Sequence, residues 1–456
     1  MTRRVHLVGV GGAGMSGIAR VLRGRGETVT GSDQVASPFS DPLRDLGVTL
    51  WIGHAAEHVD GADVVVASSA VPDGNVELAA AHAAGIPVLR RDAFLPQLTA
   101  GHVTVAIAGT HGKTTTTGLI AWILRRAGRD PSFLVGGMLP DLGGNAAAGG
   151  GEHFVIEADE YDRTFLGLTP SLAVVTSVEH DHPDCYPTPA DFQAAFQQFV
   201  DRVADVLIVC RDDPGAARLR PARAERWTYG LSADADFRAE ELRPNPAGGM
   251  DFLASRRGEL VGLIRTRLPG EHNVRNSLAA LAAASHLDVP LADARQALVD
   301  FHGAGRRFEV LGEAGGVTVI DDYAHHPTEI RATLAAARSR FPEGEIWAVF
   351  QPHTFSRTRT FLDELSHAFG DADHVIVTAI YAAREEWDPD ISGQTIVERM
   401  LHPDAHYIPD LDEAAAELLT RVGPGSVVLT LSAGDGNRVG RTVLEAMARR
   451  GQGGGA

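Results

Sequence analysis

A chain of 456 residues with 44% hydrophobic and 22% charged content suits a globular α/β protein of about three units and excludes a fibrous or disordered one. A formal charge of −18, with arginines dispersed along the chain, opposes a nucleic-acid partner, and no apolar run approaches the roughly 18 residues that cross a bilayer. The two cysteines, Cys185 and Cys210, cannot build a disulfide framework and lack zinc-like CxxC spacing, so a cytoplasmic setting with no membrane partner and no signal peptide is expected.

The first expected strand, residues 5–9, enters a glycine-rich turn, followed by a helical pattern over 15–23 and a second strand at 28–30. Gly9-Val-Gly-Gly-Ala-Gly14 satisfies GxGxxG, and Asp33 lies 19 residues beyond Gly14. Backbone N–H groups at a helix start promise a pyrophosphate site and Asp33 a hydroxyl partner, which fits a UDP-sugar as well as a dinucleotide. Strands at 64–67 and 88–89 complete a first unit, residues 1–98.

The second unit, residues 99–305, is expected to carry strands at 103–108, 154–156, 172–176 and 206–209, with a partly β insertion over 231–268. Its first strand leads into Gly109-Thr-His-Gly-Lys-Thr-Thr115, a loop whose N–H groups can cradle phosphates while Lys113 meets the β- and γ-phosphates and Thr114 offers a hydroxyl to Mg²⁺. The usual GxxxxGK[ST] spacing fails, because Ile107 stands at its first glycine. Lys113 is nonetheless the only lysine among 41 basic residues, at the position where arginine's planar fork is the poorer fit. Glu157 ends one strand and the run from Glu179 to His182 follows the next, so Glu157 and His182 could converge on a metal beside the γ-phosphate.

The third unit, residues 306–456, has strands at 317–320, 346–350, 374–378 and 427–431 and a helix over 328–339 with Pro327 at its start; residues 451–456 read as a disordered tail. The fold class expected is α/β in three domains; the family resemblance given next implies that they are an N-terminal Rossmann-like domain that binds UDP, a central P-loop ATPase with a mostly parallel sheet, and a C-terminal Rossmann-like domain.

Nine segments in order, among them residues 9–19 (GVGGAGMSGIA), 109–117 (GTHGKTTTT), 157–162 (EADEYD), 269–276 (PGEHNVRN), 321–329 (DDYAHHPTE) and 351–358 (QPHTFSRT), make the chain resemble the Mur ligase family over nearly its whole length. The resemblance implies peptidoglycan precursor synthesis: ATP phosphorylates the carboxylate of UDP-N-acetylmuramate, and the amine of L-alanine attacks the acyl phosphate, leaving ADP and phosphate. It implies ATP contacts from Gly109, Thr110, His111, Gly112, Lys113, Thr114, Thr115, His272, Asn273 and Asn276, with Asp321 or Asp322 on the ribose and Arg306 on phosphates after closure. UDP-sugar contacts would come from Gly11, Gly12, Gly14, Met15, Ser16, Asp33, Ser68, Ser69 and Ala70. The catalytic set would be Lys113, Glu157, His182, His325 and Arg357, the last two on the amino acid carboxylate, with Thr114, Glu157 and His182 holding Mg²⁺. The oligomeric expectation is a monomer or weak homodimer.

Three departures stand out. Thr354 occupies a place where many relatives have a second basic residue, residues 432–437 read SAGDGN, and the carbamylated lysine of several related ligases is absent, with Gln197 near its place. A ligase adding a preformed tripeptide to the same sugar is the alternative within the class. An NAD-dependent dehydrogenase would explain residues 9–14 but leave Lys113 without a purpose.

Overall fold

The computed structural model describes residues 2–453 and forms three sheets in succession. The first contains β1 (Arg4–Val8), β2 (Thr28–Asp33), β3 (Thr49–Ile52), β4 (Val64–Ala67) and β5 (Val88–Arg90), all parallel in the order 3-2-1-4-5. Its order reverses beside β1, so the glycine-rich turn opens at the crevice where doubly wound sheets bind ligands.

Ten strands make the second sheet: β6 (Val103–Ala108), β7 (Ser132–Leu139), β8 (Gly144–Ala147), β9 (His153–Glu157), β10 (Leu172–Val175), β11 (Val206–Cys210), β12 (Glu225–Gly230), β13 (Phe237–Pro244), β14 (Met250–Arg256) and β15 (Glu259–Thr266), in the order 15-14-13-12-11-10-6-9-7-8. Strand β6 lies between β10 and β9 in parallel register, so the ends of these three strands deliver residues 109–112, 157–160 and 176–182 to one edge. The insertion expected over 231–268 is an antiparallel meander, β13 to β15, at the far edge.

The third sheet holds β16 (Glu309–Ala314), β17 (Val317–Asp322), β18 (Glu345–Gln351), β19 (His374–Val377), β20 (Ala405–Tyr407) and β21 (Ser426–Ser432), in the order 16-17-21-18-19-20 with only β16 antiparallel. The tail expected from residue 451 lies partly outside the described residues; its described part closes the final helix, Asn437–Gly453.

One apolar core runs without a break from the first sheet into the second. The helix Ala13–Gly24 seals that joint: a Cβ at Gly17 would come within 3.0 Å of Leu134 and 3.4 Å of Ala146, so glycine permits the close approach. The third sheet has separate cores on its two faces.

Candidate active site

The phosphate loop is tied down by the segment after β10. Thr110 Oγ1 donates to the Glu179 carbonyl at 2.8 Å and accepts from Glu179 N at 2.9 Å, and Gly109, at φ 138°, leaves room for Thr176, whose hydroxyl would stand 1.9 Å from a Cβ there. Lys113 begins the helix Lys113–Arg126 after Gly112 and is largely buried: 13% of its side chain is exposed, and Nζ donates to Glu160 Oε1 at 2.8 Å and to the carbonyls of Gly109 and Thr110. Burial would lower its pKa, but Glu160, Glu157 and Asp159 reverse this and keep the ammonium charged. Thr114 Oγ1 donates to Glu157 Oε2 at 3.0 Å, which also accepts from Gly136 N at 2.7 Å. Burial lifts the Glu157 carboxyl above its ordinary range against the pull of Lys113. Thr115 is buried beside them.

His182 does not join Thr114 and Glu157 directly. Its Nε2 lies 3.5 Å from Glu160 Oε1 and 3.8 Å from Asp181 Oδ2. Lys113 and Glu160 thus stand between the Thr114–Glu157 pair and His182.

A cavity of about 280 Å³ opens from the loop, walled by His111, Gly112, Thr114, Thr115, His272, Asn273 and Asn276 of the second unit and by Arg307, Asp322 and Glu329 of the third. The Asn276 side chain bonds Asn273 Oδ1 at 3.0 Å and meets Thr116 Oγ1 at 3.2 Å. His272 is held neutral, pushed down to about 4 by burial and then by Arg275 and Arg307. Asp322, pushed up to about 6 by burial, accepts from Phe308 N at 2.6 Å and Ala324 N at 2.8 Å and lines the cavity as a ribose partner should. Asp321 does not. It lies fully buried within β17, bonded to Thr430 and paired with Arg306 at 3.2 Å. Arg306 does not line this cavity and makes a second bond, to the Ser432 carbonyl. The adjacent Arg307 points into the cleft instead, toward Glu329, Asp322 and Glu157. The positive φ of 58° at Arg306 turns one side chain of the doublet outward.

The third unit meets the loop through ion pairs. His111 bonds Glu179 Oε2 through Nε2 at 2.9 Å and Glu329 Oε1 through Nδ1 at 3.1 Å. Burial opposes its charge, but the two carboxylates raise its pKa to about 9. Among the described residues, His111, Glu179 and His326 are the group of His, Cys, Asp and Glu donors tight enough for an ion, within 4.8 Å of one another; the imidazolium already serves as the cation there. Arg357, 5% exposed, gives Nε and Nη2 to Asp181 Oδ1, both at 2.9 Å. His325 Nδ1 lies 2.9 Å from the Tyr323 carbonyl, which places the proton there and leaves Nε2 as an acceptor. Burial and Arg357 push this ring down to about 3, so a carboxylate finds no positive charge on His325.

In the first unit, Asp33 Oδ2 accepts from Gly11 N at 2.7 Å and Ser68 Oγ from Ala70 N at 3.3 Å, so both shape the turn that Gly12, Gly14 and Ser69 border. Met15 and Ser16, assigned above to the UDP-sugar, are buried: Ser16 bonds Ala13 O and Asn145, inside the packing of Ala13–Gly24 on β7 and β8. A second cavity, about 110 Å³, runs from Gly14 past Arg91 and Asp159 to Glu157. Arg91, which carries no motif of its own, pairs with Asp159 there.

Three family models cover most of the chain. The catalytic domain of the Mur ligase family matches residues 4–103, the Mur ligase middle domain 107–284, and the Mur ligase glutamate ligase domain 306–434. A UDP-N-acetylmuramate–L-alanine ligase of Roseiflexus castenholzii is 45% identical over 97% of each chain, and one of Salinibacter ruber is 46% identical over 98% of this chain and 96% of its own. The chain belongs to the Mur ligase family. Among solved structures, a UDP-N-acetylmuramate–alanine ligase of Thermotoga maritima matches with a TM-score of 0.83 at 28% identity, covering 99% of each chain. A murein peptide ligase of Psychrobacter arcticus reaches 0.73 at 26%, covering 98% of this chain and 99% of its own.

Two departures from the Mur ligase pattern now have places. Thr354, at φ 63°, caps the helix Phe355–Thr360 by accepting from Arg357 N at 3.4 Å, so it orients Arg357 but adds no charge. Gln197 bonds Asp201 at 2.8 Å and the Arg220 carbonyl at 2.6 Å.

Proposed function

We infer that this chain uses ATP to join L-alanine to the carboxylate of UDP-N-acetylmuramate through an acyl phosphate, within residues 1–98, 99–305 and 306–456 acting as UDP-sugar, ATP and amino acid domains. The observation that carries the reading is the 3.0 Å hydrogen bond from Thr114, which lines the larger cavity at the phosphate loop, to Glu157, which lines the smaller cavity that starts at Gly14. ATP in the larger cavity would set its γ-phosphate at Lys113. A sugar nucleotide with its pyrophosphate at Gly11 to Gly14 would bring its carboxylate along the smaller one.

In the first step a carboxylate oxygen attacks the γ-phosphorus and ADP leaves; charge spreads over the phosphoryl oxygens, which Lys113 and Arg307 are placed to neutralise. The Thr114 hydroxyl and Glu157 carboxylate fit a hard divalent cation such as Mg²⁺, which would supply further neutralisation. In the second step the amine attacks the acyl carbon and phosphate departs. Arg357 would pair with the amino acid carboxylate once Asp181 yields it, and the free Nε2 of His325 would accept a hydrogen bond from the incoming amine.

Phosphate release from ATP, measured with UDP-N-acetylmuramate and with L-alanine present or omitted, tests this directly. Release that needs both co-substrates supports the reading. Release indifferent to L-alanine, or fastest with a tripeptide, overturns it.

A further inference from the structure

Arg357 faces more negative charge than one guanidinium can answer. The nucleophile attacks as a neutral amine, so bound L-alanine brings a net negative charge, its carboxylate, to a side chain that already gives Nε and Nη2 to the buried Asp181. Two carboxylates against one cation away from water is a costly arrangement. The histidines beside Arg357 do not relieve it. His325 is neutral, and His353, whose Nδ1 lies 3.0 Å from Arg357 Nη1, is pushed down to about 4 by burial and then by Arg357 itself. Lys113 and His182 lie against Glu160 instead.

The segment after β19 holds a further cation. It is fixed to the Arg357 helix at two points. The Tyr381 ring stacks on His353, with centroids 5.8 Å apart, and its carbonyl accepts from Thr354 N at 2.9 Å. Further along, the Glu385 carboxylate accepts from Phe355 N at 2.6 Å and Ser356 N at 3.0 Å. Between these anchors stands Arg384, exposed and, among the described residues, without an ion pair; its guanidinium lies 4.4 Å from the centre of the Tyr161 ring. Tyr161 meets His182 edge-on at 5.1 Å, and His182 Nδ1 lies 3.4 Å from Arg357 Nη2. Contacts therefore lead toward Arg357 on two sides, from the Tyr161 ring under Arg384 through His182, and from Tyr381 of its own segment through His353. An arginine stacked on an aromatic face keeps its fork of N–H donors open to a carboxylate.

We propose that Arg384 binds the carboxylate of the incoming amino acid, as the second cation beside Arg357. It makes up the charge that Asp181 takes from Arg357, and it reaches the site from a segment that the helix Phe355–Thr360 holds in place. The proposal rests on the reading of this site as that of an L-alanine ligase.

Steady-state kinetics of the full chain with L-alanine and with L-alaninamide, which keeps the amine and the methyl group but not the charge, test it. Arg384→Ala should raise KM for L-alanine about tenfold and leave KM for ATP and UDP-N-acetylmuramate unchanged. Turnover of L-alaninamide should not change, so the preference for L-alanine over its amide falls by the same tenfold. Arg384→Lys, which keeps the charge, should recover most of the loss. Salt gives an independent reading: because Arg384 is exposed, KM for L-alanine should rise with ionic strength in the wild-type chain and stay nearly flat in Arg384→Ala. An arginine that only latches onto Tyr161 would slow both amines equally and leave the preference intact, which overturns the proposal, as does an unchanged KM for L-alanine or an equal salt response in the two chains. A wild-type chain that releases no phosphate with L-alanine would sink the ligase reading itself, a separate outcome.

Discussion

At the scale of single residues, the Lys113–Glu160 pair separates stability from activity. With 13% and 2% of their side chains exposed, these partners form a nearly buried ion pair, and removing one partner of such a pair costs roughly 3–5 kcal/mol because the other charge is left unsolvated. Lys113→Met should therefore abolish ATP turnover and also lower the apparent melting temperature. Lys113→Met combined with Glu160→Gln should recover most of the melting temperature and none of the turnover. A parallel contrast holds for the arginine doublet. Arg307→Ala should cost at least about 100-fold in kcat, the scale of removing one charge from a phosphoryl-transfer site. Arg306→Ala should act mainly on thermal stability, since it strands the fully buried Asp321; steady-state kinetics and melting curves on both variants decide it. The sequence made the doublet legible but not its facing, because that depends on one backbone angle in an irregular loop. Arg91 was invisible for another reason: an arginine at a helix start has no pattern until the neighbouring unit brings Asp159 to it. The burial of the Met15 and Ser16 side chains was not legible, because a motif records what is near a turn and not which side of the helix packs inward.

At the scale of elements, the phosphate loop and the helix Pro327–Arg340 are linked by His111 between Glu179 and Glu329. The folded, closed arrangement raises His111 from its ordinary 6.5 to about 9, so the link is fully present below about pH 6.5 and is lost as pH rises through about 9. Glu179 is 40% exposed, so solvent screening holds the contribution to the order of 1 kcal/mol. Small-angle scattering of the nucleotide-free chain should report opening between pH 8 and 10, and His111→Asn should be open throughout and flat across that range. The elements themselves were largely readable. Continuous apolar runs such as residues 103–108 and 206–209 foretold buried parallel strands, and the observed β6 and β11 match them within a residue. The strand pair β7 and β8 escaped because glycines at 136, 137, 143 and 144 break the apolar pattern, and the meander β13 to β15 was readable only as a partly β insertion, without its strands, because solvent reaches its charged faces.

At the scale of the whole molecule, the unequal packing of the three units decides how the chain comes apart. The first two sheets share one apolar core through the helix Ala13–Gly24, whereas the third keeps its own cores and touches the rest through polar contacts such as Arg357 with Asp181. Burial of continuous apolar surface makes unfolding cooperative, whereas a few ion pairs, even the buried one of Arg357 with Asp181, net little once the cost of desolvating both charges is counted. Calorimetry should therefore resolve two transitions for three units, one for residues 1–305 together and one for 306–456. Gly17→Val tests the joint, since the new side chain meets Leu134 at 3.0 Å and Ala146 at 3.4 Å and overpacking of this kind costs about 1–3 kcal/mol. Only the transition of the first two units should shift downward, while the third should stay in place. If the first two units melted separately in the wild-type chain, the shared core would not be the coupling element, and the alignment of the sugar-nucleotide cavity with Glu157 would have to depend on bound ligand. If all three melted as one, the ion pairs at His111 and Arg357 would be the coupling elements, and Asp181→Asn should then split the single transition in two.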